Sequence, residues 1–140
     1  MKKVFEYCAL IAIGGFVYTG IEYCRRGYSH WTMFILGGAL FVVIGLINEV
    51  LPWETPLFWQ GVAGAAIVTV AELLAGLVIN RWLGMGVWDY SGLPYNVWGQ
   101  ICLSASLLWI PVSILAVVLD DWTRFWLFKE KEERPRYTLF

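Results

Sequence analysis

The chain has 140 residues, of which 59% are hydrophobic, 17% aromatic and only 15% charged, with a mean hydropathy of +0.64. Soluble domains sit nearer ~45–50% apolar and ~25% charged, so an ordinary water-soluble globule is disfavoured. The net charge of −1 and the lack of a basic stripe exclude nucleic acid as a natural partner.

A membrane-spanning helix needs ~20 mostly apolar residues, and four stretches qualify: about Val4 to Cys24, Trp31 to Leu51, Leu57 to Asn80 and Val97 to Leu119. Met1-Lys2-Lys3 before the first run imitates a signal peptide, but Glu6 interrupts it and no small-residue cleavage site follows, which points to an uncleaved span. "RRGYSH" (25–30) breaks the pattern with charge and glycine. "LPWETP" (51–56) does so with two prolines, and "GMGVWDYSGLPYN" (84–96) with turn-forming Gly, Pro, Asp and Asn. After Leu119, Asp120 or Asp121 can cap a new helix on which Trp122, Phe125, Trp126 and Phe128 share one side, the alternative being a straight continuation of the fourth span. The expected architecture is all-α: an integral membrane four-helix bundle (1–119) with a C-terminal interfacial amphipathic helix and polar tail (120–140).

Four spans place both termini on one side, with Lys2, Lys3, Arg124, Lys129, Lys131, Arg134 and Arg136 there and Arg25, Arg26 and Arg81 opposite. This bias predicts a multi-pass protein of the cytoplasmic membrane with both ends in the cytoplasm. Trp31, Trp53, Trp59, Trp82, Trp88 and Trp98 fall near span ends, as an interfacial aromatic belt requires.

Glu72 stands in the middle of the third span, in "VTVAELLAGLVIN" (68–80). A charge at a span's centre costs ~2.5–3.5 kcal/mol, so such a residue should face the bundle interior and find partners. Glu22 and Glu49 lie nearer span ends, and Arg25 and Arg26 are placed to balance or gate the carboxylates. Gly15, Thr19, Glu22 and Arg26 share a spacing with Ala65, Thr69, Glu72 and Gly76. Each set forms one narrow helical stripe that suits close helix packing, extended in the third span by Asn80, and together they suggest a weak parallel repeat. These acids are either structural, paired with arginine or protonated and hydrogen-bonded, or functional, binding a cation or relaying a proton. His30 either joins such a relay or is a polar loop residue. The "WDYSGLPYN" loop either turns at the surface with Asp89 as a cap, or folds back toward the bundle with Asp89 and Asn96. Pro111 is expected to kink the fourth span.

Cys8, Cys24 and Cys102 match no metal spacing or disulfide framework, and neither a metal nor a cofactor is expected. No GxxxxGK[ST] loop, HExxH motif or histidine-based triad occurs. An enzyme is not expected, and an intramembrane lipid-modifying activity is the weakest reading.

"RRGYSHWTMFILGGALFVVIGLINEVLPW", "AELLAGLVINRWLGMGVWDYSGLPYNVWGQICL" and "SLLWIPVSILAVVLDDWTRFWLF" resemble the bacterial family labelled putative ABC-transporter type IV, or CmpB-type. The resemblance runs from about Gly20 to Tyr137, with "HWTMF", "WDYS" and "LDDW" as its most specific pieces. It implies a small polytopic membrane protein acting as an ABC-type permease, and brings no binding residues with it. "LPWETP" is too short for the coupling helix of such permeases, so the resemblance implies a separate ATPase subunit and further copies of this chain. A small cation- or proton-coupled transporter is the variant of this reading that suits the carboxylates. The candidate pathway residues are Glu22, Glu49, Glu72, Arg25, Arg26, Thr69, Asn80 and Asp89. The alternative is a non-transporting accessory, sensor or lipid-binding subunit whose working surface is the C-terminal segment.

Overall fold

The structure is a computed structural model that describes residues 1–130 and 133–140. Lys131, counted above in the charge bias, lies outside the described residues. Four helices long and apolar enough to cross a membrane are present: α1 (Lys2–Arg26), α2 (Trp31–Val50), α3 (Leu57–Trp82) and α4 (Leu103–Phe128). A two-residue antiparallel ribbon, β1 (Asn96–Val97) with β2 (Ile101–Cys102), leads into α4. The all-α bundle expected from the sequence is therefore what forms.

α1 packs along α2 and α3 along α4, and the two hairpins meet mainly through α2 against α4. We call the end bearing both termini the terminal end and the other the loop end. At the loop end α1 stops at Gly27, whose φ of 76° allows its N–H to close on the Tyr23 carbonyl at 2.8 Å. Three residues later His30 caps α2: its Nδ1 accepts from the Thr32 N–H at 3.3 Å. Members of both stripes meet their hairpin partners. Gly15 abuts Phe34, Thr69 donates to Ser106 Oγ at 3.0 Å, and Gly76 lies against Gln100. Each helix also shows apolar side chains outward, with Phe16 70% and Leu115 68% exposed, a surface that suits lipid.

The fourth helix departs from expectation. It starts six residues later, because 97–102 form the ribbon, and it ends at Phe128 rather than 119. No new helix begins at Asp120 or Asp121; both are fully buried inside α4. The DD pair mimicked a start signal, whereas Asp120 and Arg124 are an i, i+4 pair within one continuing helix. Pro111 lies within α4 on its exposed side.

Beyond Phe128 the chain returns across the terminal end. The carbonyls of Thr138 and Leu139 accept from the N–H groups of Leu57 at 2.8 Å and Phe58 at 3.1 Å. The tail thus satisfies amide donors that the first turn of α3 cannot pair within its own helix.

Candidate functional site

Glu72 is 1% exposed, on the inner side of α3. Trp109 of α4 donates its indole N–H to Glu72 Oε2 at 2.9 Å, and Tyr18 of α1 donates its hydroxyl to Oε1 at a long 3.5 Å. The two aromatic rings stack on each other, 5.5 Å between centroids and 16° from parallel. Tyr18 gets that close because Gly37 of α2 presents no Cβ behind it. The buried acid is therefore held by neutral donors, the indole bond being the strong one. On the terminal side of this trio a cavity of about 40 Å³ is bounded by Tyr18, Trp109, Val68, Phe41 and Ser113. Ser113 Oγ is fully buried and has no hydrogen-bond partner among the described residues.

Toward the loop end, Tyr90 lies beside Arg25. Burial, followed by the nearby Glu72 carboxylate, pushes the Tyr90 phenol up to about 12 against the opposing pull of Arg25. Glu22 lies one step further out and accepts from Arg26 Nη2 at 2.9 Å and Ser29 Oγ at 3.0 Å. Arg26 also donates to the Val87 carbonyl at 3.0 Å, tying α1 to the long loop.

Asn80 organises that loop. Its side chain accepts from Val87 N–H at 2.7 Å and donates to the carbonyl of Trp88 at 3.0 Å and to Gln100 Oε1 at 2.9 Å. Val87 and Trp88 are consequently buried, and the loop folds back onto the bundle. Trp88 is not part of the exposed belt: its ring is 5% exposed and its N–H meets the Gln100 carbonyl at 3.0 Å. The other belt tryptophans are exposed. Asp89 stays at the surface, where it accepts from Ser91 N–H at 2.8 Å. That backbone bond, with one from the Ser91 side chain, lowers its carboxyl below the ordinary value. Asp89 is thus the turn cap of the surface reading within a loop that otherwise follows the folded-back one.

The structure therefore gathers Glu72, Arg25, Tyr90 and Tyr18 toward the loop half, with Glu22 and Arg26 just outside and Thr69 bonded across to α4. It does not gather Glu49, which is exposed at the terminal end.

A second polar cluster went unread in the sequence. At the terminal end Asp120 pairs with Arg124 Nε at 2.8 Å, and Arg124 Nη1 reaches Glu130 at 3.0 Å. Glu130 lies beside Glu6, which is 3.9 Å from Lys2. Burial acts to raise the Glu130 carboxyl, but the bond and charge of Arg124 outweigh it and hold it below its ordinary value. Beside this chain Asp121 accepts from Asn48 Nδ2 at 2.8 Å and the Tyr137 hydroxyl at 3.0 Å. Gly45 of α2 leaves room for the Asp120 carboxylate. The spacing of Asp120 and Arg124 was the available signal, masked by the turn-like DD pair. Trp109 and Tyr18 carried no signal at all, since an aromatic residue in a span is usually packing. Among the described residues no three His, Cys, Asp or Glu side chains converge as metal ligands.

The model of the family described as putative ABC-transporter type IV matches residues 29–132, well over half of the chain. The chain belongs to that family. The matched segment takes in α2, α3, the folded-back loop, α4 and the Asp120–Arg124 pair, but not Tyr18 or Glu22. Among curated proteins and among solved structures nothing matches the chain.

Proposed function

We propose that this chain is the membrane-spanning subunit of a transport system, and that Glu72 is its proton- or cation-handling group. The observation that carries the reading is the environment of Glu72: an acid 1% exposed, deep in an apolar helix, whose hydrogen-bond donors are the uncharged Trp109 and Tyr18. An acid held by an arginine is fixed in its charged form. One held by an indole and a phenol keeps those partners whether or not it carries a proton, as a relay or release site requires. Arg25 and Tyr90, which lie near Glu72, give such a site a polar side facing the loop end.

The space beside Tyr18 and Trp109 is only about 40 Å³, too small for a solute pathway, which would run between copies of the chain or between it and a partner. The family description supports an ATPase subunit as that partner. The excess of Lys and Arg beside the termini supports a cytoplasmic terminal end.

Proteoliposomes enclosing a pH-sensitive dye test the reading. Under an imposed gradient, wild-type protein should move protons faster than empty vesicles. Glu72→Gln, whose amide oxygen still accepts from Trp109, should fall to the empty-vesicle rate with unchanged thermal stability. Equal flux from Glu72→Gln removes Glu72 from the mechanism. No flux from wild type favours the alternative, an accessory membrane subunit, for which the returning tail is the supporting feature.

A further inference from the structure

The terminal end carries a second feature that the transport reading does not use. A pocket of about 420 Å³ opens between the start of α1, the end of α2 and the end of α4. It is lined by Lys3, Tyr7, Leu46, Glu49, Arg124 and Glu130. Two cations and two carboxylates thus face one space. Arg124 is only 9% exposed; its Nε and Nη1 are engaged with Asp120 and Glu130, while Nη2 is buried with no hydrogen-bond partner among the described residues. Arg124 nonetheless lines the pocket, and a guanidinium there strengthens a hydrogen bond to an incoming oxyanion through its charge.

Leu46 also lines a second space of about 330 Å³, an apolar groove between α2 and α3 bounded by Val43, Ile47, Val50, Ala63 and Ile67. At Leu46 the helical hydrogen bonding of α2 is interrupted, and Val50 at the groove's rim is 82% exposed. A charged pocket at helix-end level therefore adjoins an aliphatic groove running into the bundle's lipid-facing side.

We infer that these two spaces together bind one phospholipid with a primary-amine headgroup, its phosphate on Lys3 beside the Arg124 guanidinium, its ammonium on Glu49, and an acyl chain in the α2–α3 groove. The charge pattern selects this class. A purely anionic headgroup would meet the carboxylates of Glu49 and Glu130. A quaternary amine has no N–H to donate to them, whereas a primary ammonium has three. The proposal does not rest on transport, because its test reads lipid retention.

The test is native mass spectrometry of the detergent-purified full chain with an equimolar mixture of phosphatidylethanolamine, phosphatidylcholine and phosphatidylglycerol. Wild type should retain phosphatidylethanolamine about tenfold over both others, the factor expected for one charge-assisted hydrogen bond of ~1.4 kcal/mol. Glu49→Gln, at an exposed position, should bring phosphatidylethanolamine down to the phosphatidylcholine level without changing the melting temperature. Lys3→Gln should weaken both zwitterionic lipids together. Equal retention of all three lipids, a preference for phosphatidylglycerol, or an ethanolamine preference that survives Glu49→Gln would each overturn the proposal.

Discussion

The bundle buries acids at both ends of its interior, and it treats them differently. Glu72 accepts from an indole N–H and a phenol, and Arg25 acts on it through its charge. Asp120 is clamped by Arg124, which is itself shared with Glu130 and, through it, with Glu6 and Lys2. Position along the helix accounts for the contrast. Within a turn or two of the helix ends, long cationic side chains can reach inward while staying wet, so a charged network is affordable. Deeper in, a compensating arginine would itself need desolvation, and neutral donors are the cheaper match. The lesson is that one acid is built to stay charged and the other is built to tolerate either protonation state.

The sharpest way to break this comparison is to remove a partner at each site. Arg124→Met deletes the guanidinium from Asp120 and Glu130 together and should cost about 3–5 kcal/mol, the range for leaving a buried charge without its counter-ion. Reversible unfolding in mixed micelles would measure it. Glu72→Gln, measured the same way, should fall within about 1 kcal/mol of wild type, because an amide oxygen can take the indole hydrogen bond. If the two variants proved equally costly, the distinction between a fixed and a neutral-compatible acid would be lost.

How much of this was legible in the residues follows from what each signal measures. Four helices were readable because twenty apolar residues between polar turns have few other solutions in water or lipid. Glu72 was readable because a carboxylate in such a run is costly wherever it points except inward. The local stripes at Thr69 and Asn80 also located genuine helix–helix and helix–loop contacts. What stayed hidden was pairing at a distance. Nothing within α3 indicates that a tryptophan 37 residues later supplies the hydrogen bond to Glu72. Asp120-Asp121 looked like a cap because capping propensity is a local property. Only the fold shows α2 opening at Gly45 to receive Asp120, and Tyr137 returning to Asp121. Trp88 misled for the same reason, since belt placement counts distance from a span end and cannot see a loop turning inward.

A smaller effect sharpens the Glu72 side. Trp109→Phe keeps the stacked ring against Tyr18 but removes the N–H that meets Glu72 Oε2. The loss should be about 1–3 kcal/mol, the range for leaving a buried acceptor short of its donor. Tyr18→Phe should cost less, because its hydroxyl sits at 3.5 Å, the outer limit of a useful bond. In the double variant Trp109→Phe with Glu72→Leu the penalty should shrink, since no acid then lacks a donor; a penalty that persists would assign it to packing.

The smallest expected effect lies in the tail. Tyr137 donates to Asp121 at 3.0 Å, and burial, reinforced by the Asp121 carboxylate, holds its phenol well above the ordinary value of 10.0. A group whose folded pKa is raised contributes fully below its unfolded value and loses that contribution as the pH climbs through the folded one. Tyr137→Phe should therefore be less stable than wild type by about 0.5–1.5 kcal/mol at neutral pH. Above pH ~10 the gap should narrow, because the unfolded wild type then gives up a phenol proton that the folded protein keeps and the variant lacks. Asn48 still donates to Asp121 in the variant, so the carboxylate keeps a partner and the loss stays modest. Unfolding midpoints for both proteins between neutral pH and the alkaline limit would read this directly. A gap constant across that range would mean the hydroxyl's hydrogen bond adds nothing, leaving the tail's hold to its packing and its backbone bonds to Leu57 and Phe58.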